Sequence, residues 1–314
     1  MTGTTTTPPL GRLHDIGAGR HLMLHRSGTG GPTAVFLAGV GMMSLDYLNI
    51  HRRVAESTTS VLYDRGGNGW SYPAQLPRTA GEVTDELRQL LHDADVPGPY
   101  LLIGHSLGGA YARHYARRFP HEVAGLLLLD PFHEDLAVRA PRQARERLDA
   151  MMEQMGSQES ESESESESES ESVEFTAEQL EQARAQLVQH FAPWPEAVRG
   201  PLAERHLDTW RTAGRENQNL YDKVADELRD APATPDVPLI VLTAMGHDAT
   251  QAHLWPAELL HEINELKRTL HAELAAESPY GEQRVLGDAG HGWLHEERPD
   301  AVTQAVNDLL SRAS

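Results

Sequence analysis

Residues 100–109 read Tyr-Leu-Leu-Ile-Gly-His-Ser-Leu-Gly-Gly, an apolar strand running straight into Gly104-His105-Ser106-Leu107-Gly108. A chain that passes from strand to helix this sharply has no room for side chains two positions before and two positions after the turning residue. Glycine stands at both places. The stretch 110–119 suits a helix, and Pro120 ends it. The turn therefore lifts the Ser106 hydroxyl above the end of a sheet, at the positive end of a helix dipole. A bare Gly-x-Ser-x-Gly match is common; the flanking strand and helix give this one its weight.

The rest of the chain supplies a matching sheet. Residues 10–16 and 21–25 read as an opening pair of strands, and 33–37 as a short buried strand ending at Ala38-Gly39-Val40-Gly41. Another strand, 60–63, ends at Asp64-Arg65-Gly66-Gly67, with a helix around 45–55 between the two. An amphipathic helix over 82–92 places Val83, Leu87, Leu90 and Leu91 on one face. Strand 125–129 carries Asp130 at its end; strands 238–243 and 283–286 and helices 259–276 and 299–312 complete the pattern. Strands apolar on both faces that alternate with helices predict a mostly parallel sheet covered on both sides.

Between about 132 and 235 the strand pattern lapses into charged helical segments at 142–152, 177–191, 201–212 and 217–228. The expected organisation is a core made of 1–132 and 236–314, interrupted by a helical lid at 133–235. Inside that lid, 157–172 is nearly pure Ser-Glu repeat. Its charges repel and it has no apolar area to bury, so it is expected to form a solvated loop. Calcium binding or phosphorylation are the functional readings set against a tolerated repeat expansion.

Composition excludes several function classes. With no cysteine there is no disulfide framework, thiolate nucleophile or cysteine metal site. The net charge of −20 falls to −13 once the seven glutamates of the repeat are set aside, and still argues against nucleic acid or an anionic membrane as partner. The first nine residues carry neither basic residues nor an apolar run, so neither a secretion signal nor a membrane span is expected, and the cytoplasm is the default location. Lys223 and Lys267 are the only lysines among many arginines, a bias that suggests a GC-rich bacterial source. No phosphate-cradling glycine motif accompanies Gly39 and Gly41, and no cofactor is expected. His247, Asp248 and His253 are weighed as a metal cluster and lack a ligand-like spacing.

A serine hydroxyl needs a base to become a nucleophile. Of 17 histidines, His291 stands in the glycine-flanked loop Gly287-Asp288-Ala289-Gly290-His291-Gly292, between the last strand and the last helix. Loops at the C-terminal ends of parallel strands line the crevice of such sheets, so His291 is expected over Ser106. His105 adjoins Ser106 but points elsewhere, and His295 begins the final helical segment. The base in turn needs a carboxylate. Asp130, directly at its strand end, is the better placed; Asp248, five residues past Thr243, stays open. Backbone amides of Leu107 and Val40 are the expected oxyanion donors. Phe191, Trp194, Trp210 and Tyr221 are candidates for lining a substrate pocket, with core packing as the alternative.

Together these segments resemble the α/β-hydrolase superfamily over nearly the whole chain. The resemblance rests on Phe36–Gly41, Tyr63–Ser71, Gly104–Gly109, Leu129-Asp130-Pro131 and Ala289–Gly292, with Asp130-Pro131-Phe132-His133-Glu134-Asp135 similar to a bacterial group within it. It implies an α/β-hydrolase fold with the lid inserted after the sixth strand, and a serine hydrolase acting on a small-molecule carboxylic ester or related acyl substrate through an acyl-Ser106 intermediate. In that group the loop after the seventh strand often lacks an aspartate, which adds to the case for Asp130. The chain departs from the superfamily pattern at Ala38, where histidine is usual, and in carrying Asp248. A non-hydrolytic use of the same fold, as a biosynthetic cyclase, acyltransferase or ligand receptor, is the alternative. The resemblance does not fix substrate preference or oligomeric state.

Overall fold

Short strands that are apolar on both faces need cover on both faces, and the architecture supplies it. The computed structural model describes residues 7–148, 150, 176–248 and 255–313. Eight strands form one sheet: β1 (Arg12–Asp15), β2 (His21–Ser27), β3 (Thr33–Leu37), β4 (Ser60–Tyr63), β5 (Tyr100–His105), β6 (Val123–Leu129), β7 (Leu239–Ala244) and β8 (Gly281–Leu286). Their order is β1-β2-β4-β3-β5-β6-β7-β8. The first two pairings are antiparallel and all the others parallel.

Alternation along the strands divides the core in two. Val35, Leu37, Leu102, Leu126, Leu128 and Val241 face α2 (Ala80–Asp93) and α3 (Leu107–Arg118). Ala34, Phe36, Ile103, Leu127, Leu129 and Leu242 face the other way, against α1 (Leu48–Val54) and the helix Pro299–Arg312. The start of α2 is fixed by a capping box, in which Thr79 Oγ1 accepts from the Glu82 amide at 3.2 Å and Glu82 Oε2 from the Thr79 amide at 2.9 Å.

Between β6 and β7 lie helices Leu136–Arg139, Ala177–His190, Glu196–Asn217 and Ala225–Asp230, with a π-helical turn at Leu220–Val224. The sequence predicts separate helices at 201–212 and 217–228, the first begun by Pro201. The first runs instead from Glu196 to Asn217 with Pro201 inside it, where burial of Val198, Leu202 and Ala203 offsets the lost backbone hydrogen bond and the ring's clash with the preceding turn; the second is present as the π-helical turn continuing into Ala225–Asp230. The helices between β6 and β7 share the cores of the sheet. Phe191, Trp194, Val198 and Leu202 join the α1 side, and Leu220, Val224 and Leu228 the α3 side. Trp194 Nε1 donates to the Leu45 carbonyl at 2.8 Å. Phe191 and Trp194 are thus core residues rather than pocket walls. The Ser-Glu repeat and the Trp210 side chain lie outside the described residues, as does His253. Among the described residues, no helix is long and apolar enough to cross a membrane.

Register sets the site. His105 pairs with Leu129, so β5 and β6 end side by side, and Leu129 pairs with Leu242 on β7. The Ser106 amide then donates to the Leu129 carbonyl at 3.1 Å and the Asp130 amide to the Leu242 carbonyl at 2.8 Å, which ties the two turns to their neighbouring strands.

Several histidines lie in the interior. His51, His105, His114, His271 and His295 are buried. Burial first, together with neighbouring cations or histidines, holds their pKa values down, to about 3 for His51, His105 and His295 and about 4 for His114 and His271. Once unfolded, each binds a proton near pH 6.5, so the unfolded chain gains protons that the native chain refuses. The stability these neutral rings permit is complete above pH 6.5 and is lost as the pH falls toward 4, at roughly 1.4 kcal/mol per pH unit for each group. Urea unfolding between pH 7.5 and 4.5 should therefore show a steep loss of stability below pH 6.5. A flat profile across that interval would contradict neutral buried rings.

Candidate active site

Ser106 sits at φ 52°, ψ −120°, a backbone region costly for a residue with a side chain, at about 1–3 kcal/mol. The turn holds because both flanking glycines are sterically compelled. A Cβ at Gly104 would meet the Gly108 carbonyl oxygen at 2.5 Å, and one at Gly108 would meet the Leu37 carbonyl oxygen at 2.0 Å. The Ser106 carbonyl accepts from the amides of Gly109 at 2.9 Å and Phe132 at 3.0 Å. Leu107 opens α3, where first-turn amides have no intrahelical acceptor.

His291 Nε2 lies 3.0 Å from Ser106 Oγ, and its Nδ1 lies 2.6 Å from Asp130 Oδ2. With Asp130 ionised, Nδ1 carries the proton and donates, leaving Nε2 to accept from the hydroxyl. The loop bearing His291 is pinned on three successive residues. Gly290 N donates to Glu297 Oε2 at 2.6 Å, the His291 carbonyl accepts from His105 Nε2 at 2.8 Å, and Gly292 N donates to Asp248 Oδ2 at 2.9 Å.

Asp130 also adopts a positive φ, of 42°, directly after β6. Its side chain is sealed from water. Burial pushes its pKa up, but the Lys267 ammonium, the His291 hydrogen bond and the nearby His271 outweigh this and hold the carboxyl well below the usual range. Oδ2 accepts from Lys267 Nζ at 2.9 Å as well as from His291, and Oδ1 from the Ala244 amide at 2.9 Å. Lys267 Nζ donates further to the Ala244 carbonyl at 2.7 Å. His271 stands behind: its Nε2 donates to the Pro131 carbonyl at 2.9 Å, and its Nδ1 accepts from Thr243 Oγ1 at 3.0 Å.

The structure thus brings Ser106, His291 and Asp130 into one hydrogen-bonded array and leaves Asp248 outside it, on the backbone of the histidine loop. Both aspartates leave adjacent strand ends; the difference is that Asp248 reaches the Gly292 amide and Asp130 reaches the ring. Val40 lies on the loop facing Ser106, and its amide has no acceptor among the described residues. His105 Nδ1 is 2.6 Å from Tyr47 Oη, so its ring braces the site from behind. His295 is buried against Tyr47 with ring centroids 4.3 Å apart. Sequence reading missed Lys267, His271 and Tyr47. The two lysines of the chain were the available signal, since a lone lysine in a helix that packs on β7 invites a search for its anion.

Above the array opens a cavity of about 460 Å³. Its walls are mainly apolar, with Phe132, Leu220, Tyr221, Trp255, Ile263 and Trp293 among them, and Asn217 and Asn264 as polar points. Of the four aromatic pocket candidates, Tyr221 lines it.

A family model described as "Alpha/beta hydrolase family" matches residues 34–305. The chain belongs to the alpha/beta hydrolase family. The chain is similar to the uncharacterized protein YqjL of Bacillus subtilis, 37% identical over 113 residues, a match that takes in 36% of this chain and spans 45% of YqjL. Among solved structures it resembles an esterase from Thermogutta terrifontis, with 18% identity, a TM-score of 0.59 and coverage of 96% of this chain and 97% of that one. An enol-lactonase from Burkholderia xenovorans is similar to the same degree, with 18% identity, a TM-score of 0.60 and coverage of 95% and 99%. At these identities the likeness to the solved structures is one of fold.

Removing one partner of a buried ion pair strands the other charge. Lys267→Met should therefore lower the stability of this hydrolase-family chain by about 3–5 kcal/mol. The Lys267→Met/Asp130→Asn pair should be less unstable than the two single losses added together. Urea unfolding of the three variants and the wild type measures the coupling; additive losses would mean that the two groups do not share a buried charge balance.

Proposed function

We propose that this chain is a serine hydrolase that cleaves a carboxylic ester or related small-molecule acyl substrate through an acyl-Ser106 intermediate. The reading is carried by the unbroken hydrogen-bond series Ser106 Oγ, His291, Asp130, aimed into an apolar cavity. As Oγ attacks the acyl carbonyl, Nε2 of His291 takes its proton, and the imidazolium is stabilised by Asp130. The carbonyl oxygen acquires negative charge and is met by the amides of Val40 and Leu107. Collapse of the tetrahedral intermediate breaks the bond to the leaving alcohol, which receives the proton from His291. Water, deprotonated by the same ring, then releases the acid and restores Ser106.

In this reading Lys267 keeps the acid ionised and fixed, and Asp248 keeps the histidine loop in place. The segment 133–235 acts as a lid, since Phe132 at its border and Leu136, Leu220 and Tyr221 within it contribute cavity wall. The apolar wall fits an uncharged acyl or alcohol group.

Ser106→Ala, which keeps the Cβ and so the backbone strain, should abolish turnover of p-nitrophenyl acetate and labelling by a fluorophosphonate probe with the melting temperature retained. Asp130→Asn should lower kcat by about 10³- to 10⁴-fold. Asp248→Asn, which keeps an acceptor for the Gly292 amide, should cost far less. Undiminished turnover by Ser106→Ala, or a larger loss at Asp248 than at Asp130, would contradict the assignment.

A further inference from the structure

A second buried ion pair, Arg65 with Glu216, takes no part in proton transfer, yet it closes on the loop that faces Ser106. We infer that Arg65, with Glu216 as its counter-charge, is a positioning residue that aims the Val40 amide at the developing oxyanion; the inference rests on the serine-hydrolase reading above.

The geometry is specific. Both side chains are sealed, at 5% and 4% exposure. Arg65 Nε and Nη2 bind the two Glu216 oxygens at 2.7 Å each, the fork-to-fork arrangement that fixes a guanidinium in plane. The remaining donors go to the loop: Nη1 to the Ala38 carbonyl and Nη2 to the Gly39 carbonyl, both at 2.9 Å. The Gly39 carbonyl and the Val40 amide belong to one planar trans peptide, so they point in opposite directions. Gripping that oxygen from the Arg65 side therefore turns the Val40 N–H the other way. A cation at the carbonyl end also polarises the peptide and strengthens its donor.

The neighbouring amides are occupied. Gly39 N donates to Tyr47 Oη at 3.1 Å, and Gly41 N to Glu216 Oε2 at 3.3 Å. Val40 is left as the loop amide without an acceptor among the described residues. The loop lies close enough to matter, since a Cβ at Gly39 would stand 3.3 Å from Ser106 Cβ.

Stability alone does not account for the pair. Buried ion pairs commonly contribute no more than apolar groups of similar volume. What this one achieves is the fixing of Ala38, Gly39 and Gly41, the loop residues on both sides of Val40. Glu216 is also the penultimate residue of the inserted helix Glu196–Asn217, so the insertion reaches into the proposed oxyanion site.

The test uses full-length Arg65→Met, Arg65→Lys and Glu216→Gln, with kcat and KM for p-nitrophenyl acetate, melting temperatures, and crystal structures of the variants that fold. Arg65→Met should lower kcat by about 100-fold with KM little changed, the pattern of a contact that matters in the transition state. Arg65→Lys, a point charge that cannot hold both carbonyls, and Glu216→Gln should fall between it and wild type. The 39–40 peptide should be rotated in the variant structures. Should Arg65→Met not fold, the other two variants carry the test. Lowered melting temperatures with unchanged kcat and an unmoved peptide would overturn the proposal. A rotated peptide in the variants, together with no Ser106-dependent turnover in wild type, would refute the hydrolase reading while leaving the aiming of the amide intact.

Discussion

A carboxylate shut away from water at the end of β6 is the constraint around which this end of the molecule is arranged. An isolated charge in such a place would be prohibitively costly, and Asp130 is spared that cost by donors drawn from three separate parts of the chain. The Ala244 amide comes from the end of β7, Lys267 from the helix that follows it, and His291 from the loop after β8. Satisfying one buried anion thus fixes the relative positions of β6, β7 and the histidine loop. The orientation of the His291 ring, and with it the hydrogen bond to Ser106, follows from that balance.

Parallel pairing does the rest. Because β5 and β6 end in register, Ser106 and Asp130 emerge side by side, each amide bonded to the neighbouring strand. Both residues take positive φ angles there, and in both cases the hydrogen bonds of the surrounding turn hold the strained backbone. The histidine loop is less regular and depends on side chains for its shape: Glu297, His105 and Asp248 each hold one of its backbone groups. Two buried ion pairs stand on different parts of the array, Lys267 with Asp130 beside the His291 ring and Arg65 with Glu216 at the loop facing Ser106.

Much of this was written locally in the sequence. Gly104 and Gly108 announce the turn at Ser106 because only sterics at short range decide it, and the apolar strands announce the sheet. Telling the two aspartates apart was harder. Asp130 and Asp248 both follow apolar strands, and the features that separate them are the backbone angle at Asp130 and a lysine 137 residues further along. Neither is a local pattern. The same holds for Glu216, whose partner Arg65 is 151 residues away. Pro201 misled for a different reason: proline is a good helix start, and only the packing of Val198, Leu202 and Ala203 on the sheet carries the helix past it. Phe191 and Trp194 look like pocket residues by type, but their burial is decided by how the inserted helices lie on the sheet, which composition does not encode.

The central claim is that the hydroxyl of Ser106 becomes covalently acylated during turnover. Rapid acid quenching of the wild-type chain with a p-nitrophenyl ester, followed by peptide mass spectrometry, tests it directly. The account predicts an added acyl mass on the peptide containing Ser106, formed and lost at rates consistent with turnover. Steady turnover with no acyl mass at that position, under conditions where acylation outpaces release, would contradict it.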